Sequence, residues 1–198
     1  MRLAIILLSS VLLSACIGPQ VKDTRPADAQ WQARLQQQQE LKNWAFRGRT
    51  AIRQDREGWN ASLNWEQKAD DFLIQLSGPF SQGGARLEGN AQQVTLTLDN
   101  GERYQADSPE RLLMQVMGWQ LPVSALRDWV RGLPYAQLAV DKQTLDERGR
   151  LRQLEQGGWH VDYRDYMAFE QTTMPAKIFI THPDLDVRIM ISRWQRPE

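Results

Sequence analysis

Apolar and polar residues alternate with a period of two along much of this chain, and no other feature constrains its fold as strongly. In WAFRGRTAI one face carries apolar or small side chains and the other carries arginines: Trp44, Phe46, Thr50 and Ile52 against Arg47, Arg49 and Arg53. The segments WNASLNW, DDFLIQLS, ARLEG and VTLTL repeat the alternation, and turn residues such as Asn100-Gly101 follow them. This pattern is typical of half-buried antiparallel strands joined by short turns.

Three segments that break the alternation predict helices. The first, residues 31–43, contains helix formers without a breaker. The second starts with Ser108 as cap and Pro109 as first helical residue, and Gly118 ends it. The third opens at Pro122 and stops before the glycine and proline of RGLP.

Strands resume after the helices, with turns at Gly157-Gly158 and at Pro183. The whole pattern gives about ten or eleven antiparallel strands and about three helices. Because a long antiparallel meander protects its edges best by curling, we expect a mainly β fold, an incomplete, half-open barrel covered by the helices.

The first residues, MRLAIILLSSVLLSAC, predict a secretory signal peptide, because a short apolar run follows Arg2 and small residues precede the cysteine. The segment from Leu13 to Cys16 resembles a bacterial lipobox, which implies cleavage before Cys16 and acylation of that residue. An ordinary signal with a chance cysteine is the alternative. Ile17 stands where retained inner-membrane lipoproteins carry aspartate, so the resemblance implies the outer membrane. We expect a signal at 1–15, an acylated tether at 16–30 and one domain at 31–198.

The charge balance and the few candidate catalytic residues exclude several classes of function from the expectation. The chain has 24 basic and 24 acidic residues, so a general nucleic-acid binder is not expected. His160 and His182 have no candidate partners at ligand spacing, and Asp70-Asp71 falls at a predicted turn. We therefore expect a binding protein without catalytic residues, metal or cofactor, and a monomer.

The loop LSGPFSQGGARLEG places one large aromatic, Phe80, among glycine, proline and serine. Gly78 and Gly83 have the spacing of a phosphate-binding loop, but the lysine that such a loop needs is missing. Because surface loops are usually polar, Phe80 requires another explanation.

Three segments together resemble the LolB family of outer-membrane lipoprotein receptors: NGERYQAD at 100–107, PVSALRDWVRGLP at 122–134 and MPAKI at 174–178. The resemblance implies a half-open barrel whose apolar cavity accepts the acyl chains of lipoproteins from a LolA-like periplasmic carrier. It also implies that the protein faces the periplasm and inserts this cargo into the lipids of the outer membrane.

Two sets of site residues follow from the resemblance. The delivery loop comprises Gly78, Pro79, Phe80, Gly83 and Gly84, with Phe80 where the family typically has leucine. The inward alternates and the helix stripes give the expected cavity lining: Phe46, Trp65, Ile74, Leu96, Leu113, Met117, Leu126 and Trp129. Ordinary packing in a filled core is the alternative for each of these eight.

Three other functions compete with a receptor. A soluble carrier of the LolA kind shares the barrel but lacks a lipobox. A different lipid-anchored envelope protein, acting as a lipid-binding or assembly module, would transfer no cargo. A lipid-active enzyme would need a nucleophile in a suitable context, and the sequence shows none.

Overall fold

The computed structural model describes residues 26–78 and 83–197. The predicted signal, Cys16, Pro79 and Phe80 lie outside these residues.

Three helices and eleven strands make up the described part of the chain. The helices are α1 (Ala27–Glu40), α2 (Pro109–Met117) and α3 (Val123–Trp129). The strands are β1 (Asn43–Gln54), β2 (Glu57–Lys68), β3 (Asp71–Ser77), β4 (Ala85–Gly89), β5 (Val94–Leu98), β6 (Arg103–Ala106), β7 (Val140–Leu145), β8 (Leu151–Gln156), β9 (Trp159–Phe169), β10 (Thr172–His182) and β11 (Leu185–Gln195). None of the helices in this part of the chain is long and apolar enough to cross a membrane.

All eleven strands form one antiparallel sheet, in the order β6-β5-β4-β3-β2-β1-β11-β10-β9-β8-β7. The first and last strands pair in the middle, so the two halves of the sheet extend outward from the β1–β11 ladder. The edge strands β6 and β7 share no ladder in the described residues, and the chain between them carries α2 and α3. The structure thereby confirms the predicted half-open barrel.

The strand directions distribute the turns between two ends of the barrel. The loop end contains the β1–β2 turn at 55–56, the described residues Gly78, Gly83 and Gly84 between β3 and β4, and the β10–β11 turn at 183–184. The helix end contains the β7–β8 turn at 146–150 and α1. Gly149 packs so closely on α1 that a Cβ there would lie 2.6 Å from the carbonyl oxygen of Ala27.

The inner face of the sheet is apolar, as the alternation predicts. In β1 the inward residues are buried, including Trp44 and Phe46 at 1% exposure each, and the arginines point outward. Trp44 and Phe46 pack with Trp65 and Trp194 at ring-centroid distances of 5.1–6.1 Å. Aromatic burial on this scale provides a large share of the hydrophobic stabilisation.

Glycine permits a close approach between the two central strands. The β1–β11 register shifts between Arg47 and Gly48, where Ser192 has no partner across the ladder. A Cβ on Gly48 would lie 2.3 Å from the carbonyl oxygen of Met190. Any larger residue therefore requires the backbones to separate.

The helix ends follow the sequence signals. The Ser108 hydroxyl accepts a hydrogen bond of 3.2 Å from the backbone N–H of Arg111, and Gly118 ends α2 in the left-handed region at φ 71°. Helix α1 runs over 27–40 rather than the predicted 31–43, so residues 27–30 of the expected tether are helical. Strand β7, for which the sequence shows no alternation, is an almost wholly exposed edge strand.

Candidate functional site: an apolar cavity and its mouth

An apolar cavity of about 50 Å³ lies between the inner face of the sheet and the helices α2 and α3. Its walls come from β1 to β5, from β11 and from both helices. Thr50 contributes the hydroxyl group, and the other lining side chains are aliphatic, indole or, at Met117, a thioether. The site can therefore hold an apolar ligand and has no charged group to recognise a polar one.

Six of the eight predicted lining residues surround this cavity: Trp65, Ile74, Leu96, Leu113, Met117 and Leu126. Phe46 and Trp129 lie elsewhere in the core. Phe46 belongs to the aromatic cluster around Trp194 at 5.1 Å, and Trp129 packs on Trp159 at 5.9 Å. Both are buried, as the strand alternation predicts for Phe46 and the helix stripe for Trp129. Neither pattern shows how far a buried residue lies from the cavity.

Other lining residues were not predicted: Thr50, Ile52, Leu63, Leu76, Ala85, Leu87, Trp119, Leu121, Val123, Val187 and Ile189. Most of them lie on the same alternating faces, so the pattern that predicts Trp65 and Ile74 contains them too. Trp119 and Leu121 lie in the short connection between α2 and α3, where periodicity carries no signal.

The cavity is too small for an acyl chain in this conformation. At about 50 Å³ it has a third of the volume of the roughly 150 Å³ apolar cavity that accommodates one benzene molecule. A fatty acyl chain is several times larger than benzene. An acyl chain could enter only if the covering helices moved away from the sheet.

A recess of about 810 Å³ at the loop end forms a mouth next to this cavity. Mouth and cavity share Ile52, Ala85, Met117 and Trp119 in their walls. The rings of Trp59 and Trp119 are 5.4 Å apart at an angle of 54°, and this contact lies in the wall of the mouth. Trp119 therefore lies between the cavity and the mouth, and Trp59 packs on it from the side of the mouth.

The C-terminal end of the predicted delivery loop, at Gly83 and Gly84, lies beside the mouth. The backbone N–H of Gly83 donates a 2.8 Å hydrogen bond to the Asp99 carboxylate, and Gly83 has a φ of +70°. The backbone N–H of Asp99 donates to the carbonyl oxygen of Gly84 over 3.1 Å. The loop base is thus attached to the β5–β6 turn, and Gly83 and Gly84 line the mouth.

The C-terminal end of α3 is fixed to the barrel by buried polar groups. The Trp129 indole donates to the Gln156 side chain over 2.9 Å, and the Tyr163 hydroxyl donates to the Trp129 carbonyl oxygen over 2.9 Å. Arg131 donates to the backbone carbonyls of Gln38 and Leu41 over 3.0 and 3.1 Å. These bonds fasten Trp129, the last residue of α3, and Arg131, which follows the helix.

Burial also affects the titration of these groups. It lowers the pKa of the Arg131 guanidinium, an effect that the neighbouring Asp128 carboxylate opposes. It raises the pKa of the Tyr163 hydroxyl well above its ordinary value. Arg131 and Asp128 form an ion pair of 2.5 Å, so the arginine remains charged and can donate to α1.

Helix α2 is attached by fewer polar contacts. The Gln54 amide donates to the carbonyl oxygen of Gly118 over 3.2 Å, and the Glu110 carboxylate accepts from the backbone N–H of Ser124 over 2.8 Å. The second bond joins α2 to the start of α3. The remaining contacts across the cavity are apolar and have no directional preference, so α2 and the α2–α3 connection are the part best suited to move.

Among the described residues, no group of three or more histidine, cysteine, aspartate or glutamate side chains is arranged to hold a metal ion. His160 lies on the outer surface, 3.7 Å from Glu155 and 3.5 Å from Asp162. His182 stacks on the Trp159 ring with a centroid distance of 4.7 Å. Neither histidine contacts the cavity.

A half-open antiparallel barrel with an apolar interior beneath two helices defines a protein of the LolA-like fold class. Solved structures agree: a LolA superfamily protein from Nitrosomonas europaea aligns with a TM-score of 0.56 over 88% of this chain and 94% of that chain. A DUF1329 family protein from Desulfovibrio piger aligns with a TM-score of 0.53 over 87% and 94%. At 8% identity each, these likenesses concern the fold alone.

Sequence relatives identify the family. The family model described as outer membrane lipoprotein LolB matches residues 42–194. The outer-membrane lipoprotein LolB of Nitrosococcus oceani is 44% identical over 98% of this chain and 97% of its own. That of Halorhodospira halophila is 40% identical over 100% and 96%. The chain belongs to the LolB family of outer-membrane lipoproteins. This membership confirms the predicted family and the predicted class, a lipoprotein rather than an enzyme.

Proposed function

We propose that this protein is a receptor that accepts acylated lipoproteins from a LolA-like periplasmic carrier and inserts them into the outer membrane. The observation that carries the proposal is the apolar cavity beneath α2 and α3, which adjoins a mouth at the base of the delivery loop. The lipid moiety occupies the cavity, and the protein moiety of the cargo stays outside.

Acylated Cys16 anchors this monomeric receptor, so the cavity stays close to its target membrane. Two or more acyl chains hold a protein far more firmly than one, because each buried methylene contributes about 0.8 kcal/mol. The same arithmetic explains why cargo needs a receptor. Exposing the chains of a lipoprotein to water costs tens of kcal/mol, and a cavity that receives them before they leave the carrier avoids this cost.

The free-energy cost of opening the closed cavity favours transfer of cargo from the receptor to the bilayer. Because the empty cavity is nearly closed, lipid binding must displace α2 and the α2–α3 connection from their apolar contacts. The affinity of a ligand is reduced by the fraction of protein in the binding-competent state. The receptor therefore holds cargo less tightly than a permanently open cavity would, and the bilayer, which imposes no opening cost, takes the chains.

Acyl chains pass through the mouth at the loop end. Separation of the Trp59 and Trp119 rings joins the cavity to the recess, and Gly83 and Gly84, which end the loop that bears Phe80, line that recess. Phe80 enters the bilayer as an apolar anchor while the chains leave. The exit route and the described end of the loop, Gly83 and Gly84, lie at the same end of the barrel.

The test uses full-length acylated receptor in liposomes and carrier loaded with a radiolabelled lipoprotein. Acceptance is measured as crosslinking of cargo to the receptor, and delivery as cargo in the membrane. Phe80→Glu should accept cargo normally and deliver it at least about tenfold less, since burying a phenylalanine contributes about 1.5–3 kcal/mol. Ser81→Glu, which adds the same charge to the same loop, is the control and should deliver normally. A wild-type receptor that takes no cargo from the carrier would refute the receptor function, and normal delivery by Phe80→Glu would refute the role of the loop.

A further inference from the structure

The outer face of the central strands carries a cluster of cations in a chain whose formal net charge is zero. Five residues of β1, β10 and β11 form it: Arg47, Arg49, Lys177, Arg188 and Arg193. None of them makes an ion pair with another described residue. We call this surface the basic face. By contrast, Arg53 at the end of β1 forms an ion pair with Asp186.

The strand register brings like charges together on the basic face. Arg47 lies directly opposite Arg193 in the β1–β11 ladder, and Arg49 lies opposite Met190. Like charges directly opposite each other destabilise an antiparallel pair. Folding therefore gains nothing from the Arg47–Arg193 pair, although Lys177 lies opposite Asp165 in the β9–β10 ladder. The like-charge pair points to an anionic partner outside the molecule.

Apolar groups lie in the middle of the cluster. Met190 is 43% exposed, which is high for a large apolar side chain. The Phe179 ring lies between two guanidinium groups, with Arg164 at 5.6 Å and Arg188 at 5.5 Å from its centroid. Cations around a partly exposed apolar centre match a surface with charged headgroups above hydrocarbon.

We propose that the basic face rests on the anionic phospholipid surface of the membrane to which the chain is anchored. This inference rests on the proposed function in one respect, namely that the chain is anchored through Cys16 and delivers cargo through its loop. Ser77 and Gly78, where the loop begins, line the same shallow recess as Arg49, Arg188 and Met190. The basic face is therefore continuous with the proposed membrane contact of the loop.

The position at which the anchored segment joins the barrel also favours an orientation with the basic face on the membrane. Helix α1 starts at the helix end, and eleven peptide units separate Cys16 from Ala27. A chain of eleven residues reaches at most about 36–40 Å when fully extended. The twelve-residue strand β1 is about 40 Å long, so an upright barrel with only its loop end on the bilayer would stretch the tether to near its limit. A barrel lying on the basic face keeps both the anchor and the loop at the membrane.

A bilayer fits the basic face better than an acidic protein does. The cations are spread over three strands of an outward sheet surface, and the long side chains can adjust to mobile headgroups. The anchor holds the membrane at a constant high effective concentration, so a weak contact is sufficient. Attraction of this kind falls as salt screens it.

The experiment places a nitroxide on a single introduced cysteine in the full-length acylated protein. Ser62→Cys lies opposite Arg49 on the basic face, and Gln143→Cys on the edge strand β7 is the control position. The proteins are reconstituted in phosphatidylcholine vesicles with or without 30 mol% phosphatidylglycerol. Relaxation of the label by a nickel-chelating lipid reports proximity to the headgroups.

We expect strong relaxation at position 62 only with the anionic lipid, and weak relaxation at position 143 with either lipid. Arg47→Gln/Arg49→Gln/Arg188→Gln should lower the ratio of protein with its basic face on the membrane to protein in other orientations at least about tenfold. Salt at 0.5 M should lower the same ratio. Arg103→Gln/Arg148→Gln/Arg152→Gln, with the same change in net charge, should have little effect. Equal relaxation at both positions, or relaxation at 62 that is independent of lipid charge, would overturn the proposal.

Two further outcomes separate this inference from its alternatives. If label 62 responds to added carrier protein and not to phosphatidylglycerol, the basic face binds an acidic protein and the membrane proposal is wrong. Cargo transfer measured on the same vesicles tests the receptor function separately. Normal transfer without relaxation at position 62 would refute only the proposal for the basic face. Relaxation at position 62 without transfer would refute only the receptor function.

Discussion

The contact between Trp59 and Trp119 makes a quantitative prediction about acyl-chain entry. Trp119→Ala removes an aromatic pair with 5.4 Å between centroids, a contact worth about 0.5–1.5 kcal/mol beyond its buried area. If the pair is formed only in the closed state, its loss raises the open fraction by the same free energy. At 1.36 kcal/mol per factor of ten, the open fraction increases about 2- to 13-fold.

The assay is stopped-flow binding of a fluorescent fatty acid to the full-length protein. When opening precedes binding, the association rate constant rises with the open fraction, so Trp119→Ala should bind about 2- to 13-fold faster. Dissociation should change less, because the open state that the ligand leaves no longer contains the pair. Urea unfolding in parallel shows whether the variant remains folded under assay conditions.

Two controls make the result decisive. Met114 lies on the outer side of α2 with 48% exposure, so Met114→Ala should leave the rates unchanged. Trp59→Ala should accelerate binding as Trp119→Ala does, and the double variant should add little to either single change. Association by Trp119→Ala at the wild-type rate, or fully additive effects of the two tryptophans, would refute entry through this mouth.

Three further predictions concern the cavity, the central ladder and the basic face. Leu113→Asn in the cavity wall should weaken acyl-chain crosslinking, because a buried amide without partners costs about 1–3 kcal/mol, and Met114→Asn on the outer side should not; equal crosslinking in both would contradict the lining assignment. Gly48→Ala should lower the free energy of unfolding by about 1–3 kcal/mol in urea titrations, while exposed Gly58→Ala, with open space around its Cβ, changes it by less than about 0.5 kcal/mol; equal effects would contradict the close approach. Arg193→Gln should raise the free energy of unfolding by about 0.2–1 kcal/mol by relieving repulsion from Arg47, and a decrease would contradict that repulsion.

The sequence predicts the strands well because each strand has one buried face. Period-two alternation depends on that burial, so β1 to β5 could be placed with short turns between them. Strand β7 has no buried face and so no alternation, which is why the sequence does not reveal it. The pairing of β1 with β11 joins residues more than a hundred positions apart, and no local pattern encodes it.

Period-two alternation predicts only part of the candidate site. Alternation shows that Phe46 and Trp65 both point inward, but only the curvature of the sheet places Trp65 at the cavity and Phe46 beside Trp194. The polar contacts that fix α3 are harder still to predict. Gln156 and Arg131 are hydrophilic residues buried by tertiary packing, and neither lies in a motif that signals burial.

A nearly filled interior and a lipid cargo are compatible because the two ends of α3 are held differently. Buried hydrogen bonds of Trp129 with Gln156 and Tyr163, and of Arg131 with the Gln38 carbonyl, fix the C-terminal end of α3. An opening movement of the helix pair would therefore have its pivot at that end. Apolar contacts over the cavity re-form whenever the lipid leaves, and their hydrophobic free energy favours the empty, closed state. Closure thereby opposes retention of cargo, as a receptor needs when the membrane at its mouth is the final acceptor. A permanently open cavity would bind lipid more tightly and deliver it more slowly.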